Sequence, residues 1–160
     1  MPENRFFMSQ LSKTQRGRQN SFGFLLQLLA RRMDNLMKQK LAGIDIDLKI
    51  FANLRMLSDK DGINQHELGR LMEFPEYHTS RNVDALVKAG FAERRPDPNS
   101  RRSVLIFLTN TGREKAKQLP KLIAEVNHEF LEVLDIQERQ QLIRLLQKAA
   151  GIPEDGDLAL

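Results

Sequence analysis

The chain has 160 residues, 41% apolar and 29% charged, the composition of a folded protein of one ordinary domain or two small ones. It holds no Cys and no Trp, which excludes a disulfide scaffold, a thiolate zinc site and a cysteine redox switch, and argues against an aromatic stacking platform. The net charge of +4 permits a polyanionic partner without requiring one, and it is unevenly spread: residues 1–40 carry eight Lys/Arg against two acids, residues 94–102 four Arg against one Asp, and residues 41–93 and 152–160 are each net −3.

Residues 1–20 are polar and mixed around Arg5-Phe6-Phe7-Met8 and read as a flexible arm or as a segment that docks on a partner subunit. They lack the basic segment, apolar core and small-residue site of a secretory leader, so the expected location is cytoplasmic. Asn20 or Ser21 can cap a first helix, in which Phe22, Leu25, Leu26, Leu29, Met33, Leu36, Met37 and Leu41 recur at helical spacing until Gly43. Its longest apolar run, broken by Gln27, is far shorter than the roughly 20 residues of a membrane span. Asp47 opens a second helix with Leu48, Phe51, Leu54 and Leu57 on one face, and Asp61-Gly62 predicts a turn.

Asn64-Gln65-His66-Glu67 has the form of a capping box and starts a short helix to about Glu73. After a break at Pro75, a further helix carries Thr79, Val83, Leu86 and Val87 inward, with Gly90 placed to end it. Residues 91–95 and 104–108 read as two strands joined by a turn-rich loop, a hairpin with four Arg at its tip. Thr111-Gly112-Arg113-Glu114 is a second capping box, opening a long helix with Ala116, Leu119, Ile123, Val126, Phe130 and Val133 inward and a kink expected at Pro120. Asp135 caps a last helix with Leu142, Leu145 and Leu146 inward, ended by Gly151 and Pro153.

Two short helices followed at once by a basic hairpin make a winged helix-turn-helix. The expected fold is therefore mainly α: a winged helix-turn-helix core with a two-stranded β-hairpin wing, flanked by long N- and C-terminal helices. The predicted organisation is an arm at 1–20, dimerisation helices at 21–45 and 111–150, the winged unit at 46–110 and an acidic tail at 151–160.

The run from Leu86 through Gly90-Phe91-Ala92-Glu93-Arg94-Arg95 to Arg102, followed by Leu108-Thr109-Asn110-Thr111-Gly112, resembles the MarR family of bacterial transcription regulators over residues 21–150. The family pattern is a Gly closing the recognition helix, an acidic-Arg-Arg stretch, a wing, and Leu-Thr-x-x-Gly opening the next helix. The resemblance implies a homodimer that binds double-stranded DNA at an imperfect palindrome, most often as a repressor. Many members release DNA when a small aromatic or phenolic anion binds. One departure stands out: the wing's usual Asp-x-Arg is Ser100-Arg101-Arg102 here, so the charge that orients the wing Arg is absent.

A helix in the major groove needs donors and acceptors at base edges and short residues where it approaches the backbone, and the segment Tyr77, His78, Thr79, Ser80, Arg81 and Asn82 supplies them: Arg81, Asn82 and His78 can read bases, and Thr79 and Ser80 can hold phosphates. Thr79 shares a face with Val83 and can point inward instead. Arg101 and Arg102, with Asn99 and Ser100, suit the minor groove and its backbone. Strand alternation sends Arg94 and Arg95 to opposite faces, so one of them, taken as Arg95, is expected to face DNA. Gln65, at the start of the helix that crosses the backbone, is a candidate phosphate contact.

No catalytic constellation, cofactor motif or phosphate loop is present, so no enzyme is expected and no cofactor or metal. Glu125, His128, Glu129 and Glu132 share a helical face at ligand-like spacing, but a solvated face has the same pattern. Phe22, Phe24, Met33, Met37, Phe51 and Met56 could line an effector pocket or could be ordinary core. Two other functions share the fold: a sequence-tolerant architectural DNA-binding protein, and a winged-helix module that binds protein.

Overall fold

The structure, a computed structural model, describes Gly17, residues 19–73 and residues 75–153, with Arg101 described by its backbone alone. Most of the expected arm and tail therefore lies outside the described residues. The chain divides into two compact units, residues 1–36 and 37–160.

Helix α1 spans Phe22–Ala42, and Leu25 N donates to Ser21 O at its start, as the cap position predicts. The part of α1 in the first unit exposes Phe22, Leu25, Leu26 and Leu29, whereas Met37 and Leu41 are buried in the second unit. Helix α2 spans Leu48–Asp59, and Asp47 caps it by accepting from Lys49 N at 2.8 Å. It buries Ile50, Asn53, Leu54 and Leu57, a face turned from the expected one, with Leu48 and Phe51 only half-buried.

Gly62, at φ 73°, turns the chain into strand β1, Ile63–Asn64. Helix α3, Gln65–Leu71, follows, and Asn64 accepts from Glu67 N at 2.8 Å. The expected capping box is only half formed, because the Glu67 carboxylate pairs with Lys60 rather than returning to the cap. A turn with Glu73 at φ 52° leads to helix α4, Glu76–Lys88, which starts at Pro75 and packs on both α2 and α3. Gly90 closes it at φ 75°, as the sequence predicts.

Strands β2 (Ala92–Asp97) and β3 (Ser100–Leu108) form the hairpin, and β1 adds a third antiparallel strand in the order β1-β3-β2. The register pairs Ala92 with Leu108, Arg94 with Ile106 and Pro96 with Val104, then shifts so that Asp97 pairs with Ser100. Arg101 and Arg102 consequently lie in an irregular stretch of β3 beside the turn, while Arg94 and Arg95 sit well down the wing and not at its tip.

Helix α5 spans Asn110–Phe130 and is continuous through Pro120. Its cap is Thr109, which accepts from Gly112 N at 3.0 Å, two residues before the expected Thr111. Thr109 Oγ1 also donates to Gly90 O at 2.6 Å, and Thr109 N to Phe91 O at 3.0 Å, so the link to the end of α4 sets the helix start. The buried face of α5 is Ala116, Leu119, Leu122 and Val126, with Leu122 replacing the expected Ile123 and with Val133, beyond the helix, 83% exposed.

Helix α6 (Ile136–Ala149) starts in the full capping box Asp135/Glu138 but buries no residue; Leu145 and Leu146, expected inward, are exposed. The core of the second unit is thus built from the end of α1, α2, α3, the sheet, α4 and α5, with Leu41, Leu54, Leu57, Leu68, Leu86 and Leu119 fully enclosed. No helix among the described residues is long and apolar enough to cross a membrane.

Candidate nucleic-acid interface

Helix α4 is amphipathic along its whole length. Thr79, Val83 and Leu86 form its buried face, and Tyr77, His78 and Arg81 stand on the exposed one, with Ser80 half-buried. The rings of Tyr77 and His78 lie 4.5 Å apart and tilted by 37°, which presents them as one polar-edged surface at the helix start.

Two of the residues expected to contact DNA, Thr79 at a phosphate and Asn82 at a base, are turned elsewhere. Thr79 is fully buried and its hydroxyl donates to Pro75 O at 3.4 Å, so it finishes the first turn of the helix and offers nothing to a groove. Asn82 is half-buried, and its Nδ2 donates to Asn53 Oδ1 on α2 at 3.0 Å.

The wing presents a second polar surface. Asn99 is exposed in the turn, where its N–H donates to Asp97 Oδ1 at 2.8 Å; Ser100 is half-buried and Arg102 exposed. The strand alternation separates Arg94 from Arg95 as expected. Arg94 reaches back to α4 and donates to Asp84 at 2.5 Å. Arg95 leaves the other face, where it pairs with Glu93 and lies over the Phe107 ring, 4.6 Å from its centroid. Its charge is therefore held by a carboxylate, although the side chain stays exposed.

Around these surfaces the cations fall into two sets. Arg94, Arg95 and Arg113 each have a carboxylate partner, Asp84, Glu93 and Asp61 respectively. Among the described residues no acid forms an ion pair with Arg81 or Arg102. Gln65 is half-buried as the first residue of α3, and with His66, Gly69, Arg70 and Glu76 it lines a shallow recess of about 200 Å³ beside the start of α4.

Sequence reasoning missed Asp61 and Asn53. Asp61 Oδ1 accepts from Leu108 N at 2.8 Å and Oδ2 pairs with Arg113, so one carboxylate ties the turn after α2 to the end of the wing and to α5. The Asp-Gly pair signals only the turn. Asn53 lay in an apolar helical stretch and carried no local signal at all.

The expected effector residues fall in both units. Phe22 and Met33 belong to the first unit; Met37, Phe51 and Met56 belong to the second, where the first is buried and the others half-buried. Within the second unit, a cavity of about 500 Å³ is lined by Lys40, Gly43, Ile44, Lys117, Gln118, Lys121, Leu122 and Glu125. Lys40 is paired with Glu129 at 2.7 Å, which raises its pKa above the usual 10.5 through that hydrogen bond and charge. Among the described residues no three His, Asp or Glu converge as metal ligands.

A short helix, a tight turn, a polar exposed helix and a basic two-stranded wing define a winged helix-turn-helix protein. A profile of the MarR family matches residues 48–104, the stretch from α2 into the wing. The HTH-type transcriptional regulator BilQ of Clostridium symbiosum is 26% identical over 136 residues, 85% of this chain and 94% of that protein. The multiple antibiotic resistance protein MarR of Escherichia coli is 30% identical over 109 residues, 68% of this chain and 76% of MarR. A crystal structure of an E. coli MarR mutant complexed with operator DNA superposes with a TM-score of 0.74 at 29% identity, covering 79% of this chain and 91% of that one. The chain belongs to the MarR family of winged helix-turn-helix transcriptional regulators.

Proposed function

We propose that this regulator binds double-stranded DNA sequence-specifically as a homodimer and acts as a repressor. The observation that carries the reading is the pair of exposed cations, Arg81 on α4 and Arg102 on the wing, with no acid paired to either among the described residues. Arg94, a few residues from the wing tip, is by contrast neutralised against α4 itself. A guanidinium with no acid paired to it among the described residues, beside polar helix edges, suits a base edge or a phosphate. The operator complex of the MarR relative supports the same use of the fold.

In this reading α4 enters the major groove with Tyr77, His78, Ser80 and Arg81, and the wing follows the adjacent minor groove with Asn99, Ser100, Arg101 and Arg102. Gln65 meets the backbone, and Arg95 contributes field from a paired position. The exposed apolar residues of α6 form part of the dimer seam, so the two α4 helices read a palindrome with half-sites about one DNA turn apart. A small aromatic acid that favours a mis-spaced dimer releases the DNA. A cytoplasmic location follows from this role.

The test is fluorescence anisotropy on the DNA upstream of the chain's own gene, against a scrambled duplex, at ~0.15 M salt. The expected result is an affinity for the first at least ~10³-fold tighter, falling steeply with added salt. Equal affinity for both duplexes would favour the sequence-tolerant reading. Binding to neither, with no sequence enriched from a random pool, would leave the protein-interaction module.

A further inference from the structure

Two polar side chains are buried in the described core, Asn53 and Thr79, and they lie on α2 and α4, the two helices that pack to hold the exposed face outward. Thr79 is accounted for by its bond to the backbone of its own helix. Asn53 is not. It is fully buried on a face otherwise made of Ile50, Leu54 and Leu57, its Oδ1 accepts from Asn82, and its Nδ2 is the one buried side-chain polar atom without a partner among the described residues.

An apolar residue at position 53 would spare that orphaned donor and pack against its neighbours, so the amide is a cost to the fold. What it supplies is direction. Apolar contacts between α2 and α4 tolerate a small rotation or slide, whereas a hydrogen bond between two amides holds only over a narrow range of distance and angle. Asn82 directly follows Arg81 and is two residues beyond Ser80, so any roll of α4 about its axis swings those side chains across the groove by the same angle.

We propose that Asn53 and Asn82 are a positioning pair: one interhelical hydrogen bond that fixes the rotational setting of α4 on α2, and through it the aim of Arg81. The proposal rests on the DNA-binding reading above. It also gives Asn82 a different role from a base contact, and Asn53, having no exposed surface, cannot touch DNA in either case.

The experiment uses the full chain and a duplex enriched by the wild type from a random pool. Variants Asn53→Leu, Asn82→Ala and the double Asn53→Leu/Asn82→Leu are compared with wild type for thermal midpoint, affinity for that duplex and affinity for a scrambled one. The double variant is expected to melt no lower than wild type, to lose about tenfold in affinity for the selected duplex and to keep its affinity for the scrambled one. Asn53→Leu is expected to lower discrimination at several base pairs together. A wild-type specificity ratio in both Asn53→Leu and the double variant overturns the proposal, as does a loss confined to Asn82→Ala at a single base pair, which identifies a direct base reader. If the leucine variants do not fold, Asn82→Ala decides by the same distinction between one position and several. Failure of the wild type to enrich any sequence removes the DNA-binding reading itself and is recognised before any variant is made.

Discussion

Arg81 leaves the exposed face of α4 with nothing among the described residues to neutralise it, and a guanidinium so placed can grip guanine O6 and N7 together. Arg81→Ala is expected to lose about 1–3 kcal/mol of discrimination at one base pair, with little change in affinity for a scrambled duplex. Arg102 lies in the irregular part of β3, and in the proposed reading it would contribute charge and groove shape rather than a base code. Arg102→Ala should weaken binding to both duplexes and reduce the slope of log affinity against log salt by about 1. Titrations at several salt concentrations separate the two behaviours; identical salt slopes for both variants would show that the roles have been misassigned. A different residue governs the fold rather than the contact. A Cβ on Gly112 would lie 1.9 Å from the Phe91 carbonyl oxygen, which is backbone and cannot swing aside. Gly112→Ala should therefore destabilise by at least the ~1–3 kcal/mol of ordinary overpacking, read as a lower urea midpoint.

At the scale of elements, what could be read from the chain was what short stretches decide for themselves. Asp47 and Asp135 cap their helices where the sequence placed them, and Gly90 takes the left-handed conformation that ends α4. These signals need only neighbours in sequence. The two-residue strand β1 gave no local signal, because it exists only by pairing Ile63 with Ile106. The start of α5 moved to Thr109 because bonds to Gly90 and Phe91 outweighed an equally good local motif. The polar face of α4 was legible from periodicity, but the turn of Asn82 toward Asn53 depends on a helix 29 residues away. The half-formed box at α3 carries a pH signature. Lys60 holds the Glu67 carboxyl below its usual 4.5 through their hydrogen bond. A carboxylate depressed by folding stabilises above its unfolded pKa, and the effect is lost as pH falls through the folded value. Wild type should therefore lose more stability than Glu67→Gln as the pH drops from 7 to below about 4.5; parallel curves would mean that the ion pair contributes nothing. Helix α6 gives the complementary case. It buries no residue within the chain and leans on its cap, so Asp135→Ala should cost about 0.5–2 kcal/mol, seen as fraying of that helix by hydrogen exchange.

Across the whole molecule, the unfinished part is the C-terminal end. Val133, Ile136, Leu145, Leu146 and Ile152 are 46–83% exposed, and a 14-residue helix with no buried side chain has little to hold it in water. Apolar side chains at this density on one short segment need a cover, and a second copy of the same segment supplies a self-complementary one. The replacement Leu145→Glu/Leu146→Glu puts two like charges on that seam and leaves Arg81, Arg102 and the core of the second unit untouched. Wild type is expected to sediment as a dimer of the 18.5 kDa chain, and the double variant as a monomer with its melting of the winged unit preserved. A monomer engages one half-site and forfeits the intramolecular second contact, so its affinity for a full palindrome should fall by about 10²-fold or more. Its affinity for an isolated half-site should stay close to the wild-type value. A variant that remains dimeric would place the seam elsewhere on the chain. A monomer that still bound the full palindrome like wild type would separate DNA recognition from dimerisation altogether.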